Sequence, residues 1–252
     1  MPRVTPESLR FDQAADDYDA YHGGLERGRK AAADLSSHLL PGAVLDIGLG
    51  TGLVDVGLAE LGHRVLGVDL APGMVGRAHR RLGGRVVIGD AHALPFASGS
   101  LPNVVMVHVL HVVDDMAGVL DEVGRVLASG GRLVTVHGVP MAEPDDLVAA
   151  ESPLAVLKPE VPDTPERLAA AAAKAGLRVV EEASVNPYEI DLTPNQYADS
   201  IANRVWSYLK NVDDPDWQRL VVPVVAALRA LPEPDRERHQ VWRVPLTVLV
   251  KN

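Results

Sequence analysis

The chain has 252 residues, 47% of them hydrophobic and only 4% aromatic, enough apolar content for one sizeable core built on Ala, Val and Leu. It contains no cysteine, which excludes disulfides, thiolate metal sites and cysteine nucleophiles. The 34 acidic residues against 24 basic give a net charge of −10, which repels nucleic acid phosphates and favours a small-molecule partner.

The start, "MPRVTPESLRFDQAADDYD", lacks the apolar stretch of a secretory signal, and no later run approaches a membrane span. A cytoplasmic protein without membrane or nucleic acid partners is therefore expected, and assembly as a homodimer stays open. The spacing predicts a helix over residues 25–40, broken by "PG" at 41–42. Short β-branched runs then alternate with helical patterns. "AVLDIG", "RVLGVDL", "RVVIGD", "LPNVVMVHVL" and "RLVTVHGV" read as strands, separated by helices such as "PGMVGRAHRRLG" and "DMAGVLDEVGRVLASGG". Continuous apolar runs of this kind fit strands buried on both faces. The expected fold class is α/β, a doubly wound, mainly parallel, seven-stranded sheet with helices on both faces.

After residue 140 the rhythm changes. "EPDDLVAAESPLAVLKPEVPDTP" reads as a loop or lid, and Thr164, Pro165 and Glu166 open a helix that stops at Gly176. "LRVVEEASV" is a sixth strand and "HQVWRVPLTVLV" the last, with Pro245 indicating an edge or bulge. Residues 193–231 read as helical. The whole is expected as one domain: residues 1–40 a lid and helix, 41–140 a cofactor-binding core, and 141–252 a C-terminal half with a helical cover over about 186–231. Trp206 and Tyr208 there would either wall an acceptor pocket or pack the insertion.

The most informative stretch is "DIGLGTG" at 46–52. In an open α/β sheet the ligand lies beyond the carboxyl ends of the strands, and this is the first strand-to-helix turn. The dinucleotide fingerprint G-x-G-x-x-G fails in both registers, because the third glycine would fall on Leu53 or Asp55. A nucleoside without phosphates fits better. Asp69 ends the second strand, where a carboxylate can accept both ribose hydroxyls. Asp90 and Ala91 end the third, placed to read an adenine edge.

The stretch "VLDIGLGTG…HRVLGVDLAPGMVGRAHRR…VIGDAHALPFASGSLPNVVMVHVLHVVDD…GRVLASGGRLVTV" resembles the class I S-adenosylmethionine-dependent methyltransferases, in particular the small-molecule enzymes of the ubiquinone/menaquinone-biosynthesis type. The similarity covers about residues 40–137. It implies S-adenosyl-L-methionine as cofactor, with Gly48, Gly50 and Gly52 along its methionine and ribose side and Asp46 organising the loop. By the same resemblance Asp69 with Leu70 holds the ribose, Asp90 and Ala91 meet the adenine, and the His108 backbone touches the amino-acid moiety. Tyr18 of the N-terminal "ADDYDAY" would cover the cofactor. One departure stands before the fourth strand, where Leu101-Pro102-Asn103 replaces the family's Phe-Asp.

The implied reaction is methyl transfer to an O, N or C nucleophile of a small-molecule acceptor, in bacterial specialised or cofactor metabolism. His108 and His111, at the sheet's carboxyl edge, are the candidate bases, and Asp114 and Asp115 read as a helix N-cap pair. No metal is called for. Rival readings are a non-catalytic cofactor-binding protein, an aminopropyl transferase, and a nucleic-acid methyltransferase. The last is disfavoured by charge and by "HVLH" where an Asn/Asp-Pro-Pro-aromatic tetrad would stand.

Overall fold

The computed structural model describes Asp19 and residues 24–252. Tyr18 lies outside the described residues. The chain forms two compact units, one comprising the chain through Val139 with Pro162–Asn186 and Val244–Asn252, the other Pro140–Val161 with Pro187–Arg243.

In the first unit, helix α1 (Gly24–Ser36) precedes an alternation of strands and helices: β1 (Ala43–Ile47), α2 (Leu53–Glu60), β2 (Arg64–Asp69), α3 (Pro72–Leu82), β3 (Val86–Ile88), β4 (Leu101–Val107), α4 (Met116–Val126) and β5 (Leu127–Val136). The sheet runs β3-β2-β1-β4-β5 in parallel and continues into the antiparallel β8 (Arg238–Lys251). Helix α6 (Pro165–Lys174) leads to β7 (Leu177–Leu192), which pairs with β8. The order reverses between β1 and β4, so the crevice beyond their carboxyl ends is the binding position of an open sheet.

Side chains alternate along each strand. Leu45, Ile47, Val104 and Met106 enter a core shared with α4 and α6, whereas Val44, Val105 and Val134 enter a second core shared with α1 and α2. Asp46 follows Val44 in this alternation and so faces the α2 side. Helices α1 and α2 meet closely, since a Cβ on Gly28 would lie 2.4 Å from the Leu53 carbonyl oxygen.

The second unit contains β6 (Met141–Ala142), α5 (Asp146–Glu151), a 3-10 turn (Ser152–Leu157), α7 (Pro194–Ala202) and α8 (Asp214–Asp216), which runs through a π-helical turn (Trp217–Val221) into α9 (Val222–Arg229). Its core gathers Leu147, Leu154, Tyr197, Ile201, Val224 and Leu228, and Trp206 and Tyr208 pack against it.

Several expectations meet corrections here. The sheet counts eight strands rather than seven; the extra one is the two-residue β6, paired with the leading part of β8 through Met141 and Arg243. The stretch read as a loop over "EPDDLVAAE" contains α5, started by Asp145, whose side chain accepts the Val148 N–H. The α4 helix stops at Val126, before the glycines, because Leu127 already takes extended φ/ψ. Pro245 stands between the β5-paired and β6-paired stretches of β8, where no ladder bond is required of it.

The Leu101-Pro102-Asn103 departure has a structural reason. A register shift lies between Leu101 and Asn103, and the fully buried Asn103 turns its amide onto the chain entering β1. Its Oδ1 accepts the Leu40 N–H at 2.8 Å, and its Nδ2 donates to the Leu40 and Ala43 carbonyls at 2.9 and 3.2 Å. Asn103→Leu leaves those backbone groups buried and unpaired. It should destabilise the protein by about 2–4 kcal/mol, seen in thermal denaturation as a Tm lower by roughly 5–15 °C.

Candidate functional site

The turn after β1 is built on backbone that only glycine adopts freely. Gly48, Gly50 and Gly52 all have positive φ, at 72°, 58° and 79°. Their surroundings differ. A Cβ on Gly48 would sit 2.5 Å from Val109, while one on Gly50 would meet nothing within 4 Å. Gly48 is therefore required by packing, and Gly50 leaves open space above the turn.

The turn is fastened to the end of β2. The Gly48 and Leu49 N–H groups donate to the Val68 carbonyl, at 2.7 and 3.3 Å. The Asp69 carboxylate accepts from Gly50 N at 2.8 Å through Oδ2 and from Ala71 N at 2.8 Å through Oδ1. Burial raises the Asp69 carboxyl in spite of these backbone donors. A carboxylate offers about four lone-pair sites, so acceptor capacity remains for a ligand hydroxyl. Leu70 beside it is half-buried.

At the next strand end, Asp90 Oδ1 accepts from the backbone N–H of His92 at 2.9 Å and from the ring Nδ1 at 2.8 Å. The other ring nitrogen of His92 reaches the Asp115 carbonyl at 3.2 Å, tying the turn that contains Asp90 and Ala91 to the start of α4. Asp115 itself caps that helix, accepting the Gly118 N–H, as expected. His108 directly follows β4 with φ 57°, an uncommon conformation for a side chain with a Cβ and one that clusters at functional sites.

The glycine turn and the end of β4 border a cavity of about 130 Å³ lined by Asp46, Gly48, Gly50, Thr51, Val107 and His108 among others, whereas Asp69, Leu70, Asp90 and Ala91 are not part of its lining. Asp46 and Asp55 are both fully buried beside it, and Asp46 Oδ1 and both oxygens of Asp55 have no hydrogen-bond partner among the described residues. Two adjacent buried carboxyls cannot both ionise. Burial first, then the Asp55 charge and hydrogen bond, then Asp69, push Asp46 well up. Asp55 is pushed up to about 7, chiefly by burial, with the Asp46 hydrogen bond opposing. At neutral pH the pair therefore tends to keep a proton.

Residues outside the expected set join the site. Asp19 accepts a 2.6 Å hydrogen bond from Thr51 Oγ1 and pairs with Arg81, which also donates to the Thr51 carbonyl at 2.6 Å. Burial would raise the Asp19 carboxyl, but the Arg81 and Thr51 hydrogen bonds outweigh it and the net shift is downward. Asp19 is thereby anchored on the glycine turn. The acceptor side holds His111, whose ring lies edge-on to His108 with centroids 6.2 Å apart, and Asp163. Asp55, Asp19 and Asp163 carried no signal of their own in the sequence, since each acts through partners distant along the chain.

The acidic set tests the cofactor. Asp46, Asp55 and Asp69 interact electrostatically beside the glycine turn, whose Gly50 position is open. A phosphate would be repelled there, whereas a cationic nucleoside is favoured.

Residues 45–135 match the family model described as "Methyltransferase domain". Over those residues the chain is similar to a methyltransferase domain. It is 35% identical over 142 residues to the demethylmenaquinone methyltransferase of Thermus thermophilus, covering 52% of this chain and 64% of that protein. It is 34% identical over 147 residues to the ubiquinone/menaquinone biosynthesis C-methyltransferase UbiE of Desulfotalea psychrophila, covering 53% and 58%. The chain thus spans somewhat more than half the length of these relatives. Among solved structures, the (4+2)-cyclase SpnF superposes with a TM-score of 0.59 at 15% identity, covering 100% of this chain and 98% of that one. Phosphoethanolamine N-methyltransferase 2 of Haemonchus contortus, in complex with S-adenosyl-L-methionine, gives 0.54 at 19%, covering 95% and 57%. At those identities the structures attest the fold alone.

The retained proton predicts a pH dependence. Both folded-state carboxyls are raised, so the pair's stabilising contribution is complete below the ordinary carboxyl range and is lost as pH rises through about 7. Each unit of displacement corresponds to about 1.4 kcal/mol. Asp55→Asn removes this dependence. In thermal melts of the cofactor-free protein, its Tm should gain on the parent by several degrees between pH 5 and pH 8; parallel curves would contradict the pairing.

Proposed function

We propose that this protein transfers a methyl group from S-adenosyl-L-methionine to an O, N or C nucleophile of a small-molecule acceptor, in bacterial specialised or cofactor metabolism. The observation that carries the reading is the glycine turn held open by Asp69, with an acidic wall behind it and His108 at its mouth. The naming of the curated relatives as quinone-biosynthesis methyltransferases supports a small-molecule acceptor.

In this reading Asp69 receives the ribose hydroxyls on its unused lone pairs. Leu70 flanks the sugar. Asp90 and the Ala91 N–H take the adenine, held at a fixed distance from α4 by His92. The backbone of Gly48 to Gly52 and of His108 receives the amino-acid end, and Asp46 organises the turn. Tyr18 is assigned the cover over the cofactor, beside the Asp19–Thr51–Arg81 anchor. When bound, the cofactor presents a methyl carbon already activated by the positive sulfur. What remains for the chain is to align the acceptor within attacking distance and to exclude water, which together supply most of the acceleration in such displacements.

The experiment has two arms. Calorimetry on Asp69→Ala should show cofactor affinity lowered at least tenfold, and unchanged binding would break the ribose assignment. Release of S-adenosylhomocysteine should be followed with phenols, amines and polyketide-like acceptors. Release with one acceptor class supports transfer, whereas tight cofactor binding with no release from any would favour a non-catalytic protein.

A further inference from the structure

Asp163, like Asp46 and Asp55, is a fully buried carboxylate of the first unit, and it is held in a way that the cofactor does not require. It immediately precedes Thr164, the N-cap of α6. Its backbone carbonyl accepts from His137 Nδ1 at 2.7 Å, which fixes that nitrogen as the protonated one, and the other His137 nitrogen meets Thr247 Oγ1 at 2.8 Å. Its Oδ2 accepts the Gly138 N–H at 3.0 Å. Strand ends β5 and β8 thereby lock the carboxylate in place. Its Oδ1 is buried without a partner among the described residues.

A buried carboxylate is costly unless hydrogen-bond donors or positive charge face it. The ring that faces this one is His111, whose Nδ1 lies 3.7 Å from Asp163 Oδ2, an ion pair only once the ring is protonated. Burial alone would raise the Asp163 carboxyl; the His111 and Gly138 contacts outweigh it and hold it low. His111 is about one-third exposed, so an acceptor can reach its ring. His108, edge-on to it, lines the cavity beside the glycine turn. The titratable groups facing the pair are therefore His108 and His137, and neither carries negative charge.

We propose that His111 is the base that takes the acceptor's proton, that Asp163 is its positioning residue, and that the acceptor accordingly presents an ionisable hydroxyl, a phenol or an enol. The proposal rests on the methyl-transfer reading. A neutral amine already owns its attacking lone pair and needs no base. A hydroxyl becomes a strong nucleophile only as its proton leaves, which is the task a fixed imidazole–carboxylate pair performs. In the step, the O–H proton passes to His111 Nε2 while an oxygen lone pair forms the bond to the methyl carbon. The carbon–sulfur bond breaks and its electron pair goes to sulfur. Positive charge disappears at sulfur and reappears on the imidazolium, opposite the waiting carboxylate. If the bond forms instead at a carbon conjugated to the oxygen, that carbon's proton leaves afterward and the hydroxyl is restored.

Two measurements test the pair. In the cofactor-free protein, the Asp163 carboxyl followed by 13C NMR should titrate at higher pH in His111→Gln than in the parent; an unmoved midpoint would dissolve the pair whatever the turnover. In steady state, an electron-poor phenol already ionised at neutral pH is compared with one of pKa about 10. His111→Gln should lower kcat for the weaker acid by about 100-fold or more and for the ionised phenol only slightly, with KM for the cofactor unchanged. Asp163→Asn should follow the same substrate dependence with a smaller loss. Equal losses on both phenols, no loss on either, or faster turnover of amines that ignores His111→Gln would overturn the proposal. If the parent methylates nothing while binding S-adenosylhomocysteine, the methyl-transfer reading falls and takes the pair with it.

Discussion

The carboxylate of Asp69 holds the Gly50 N–H on one oxygen and the Ala71 N–H on the other, and with this one group β2 dictates the shape of the turn that follows β1. Without it, a run of three positive-φ glycines would sample many conformations, since glycine gives up more freedom on ordering than any other residue. With it, the turn is set before any ligand arrives, and the open space at Gly50 persists because no side chain exists to fill it. The parallel register of β1 and β2 brings Asp46 opposite Gly67 and Ile47 opposite Val68, so the glycine turn arrives within reach of Asp69 as a consequence of strand pairing. Fold and site are here a single piece of geometry.

Charge then decides what the site accepts. The positive end of a helix beside a glycine turn ordinarily attracts phosphate. Here the first turn of α2 carries Asp55, buried against Asp46 and within the field of Asp69. The same residue that breaks the dinucleotide glycine spacing also supplies repulsion toward a pyrophosphate. The retained proton keeps the cost of burying two carboxyls bearable, and it leaves a net negative wall suited to a cationic nucleoside.

The sequence carried the strand alternation, the glycine turn and the acidic residues at successive strand ends, because each is a local pattern whose spacing reflects one strand or one turn. The N-caps Thr164 and Asp115 were legible for the same reason. What it did not carry was pairing between distant segments. Asp163 read as part of a proline-rich connection, and only the folded chain brings it to His111. Arg81 read only as part of a helical pattern, yet it reaches back to Thr51 and Asp19. Asp55 was noticed only as a residue that is not glycine. Helix α5 was hidden because its pattern is six residues long and flanked by prolines, too short for periodicity to speak. The Leu101-Pro102-Asn103 departure was visible, but its meaning depended on Leu40, more than sixty residues away.

Calorimetric titration of the purified full chain with S-adenosyl-L-methionine, S-adenosylhomocysteine and NADH bears on the account most directly. Saturable uptake of the two sulfur nucleosides at one site, with NADH inert, is the predicted result. Saturation by NADH while both sulfur nucleosides give no heat would mean that the acidic wall does not face the ligand, and the reading of the site would be wrong.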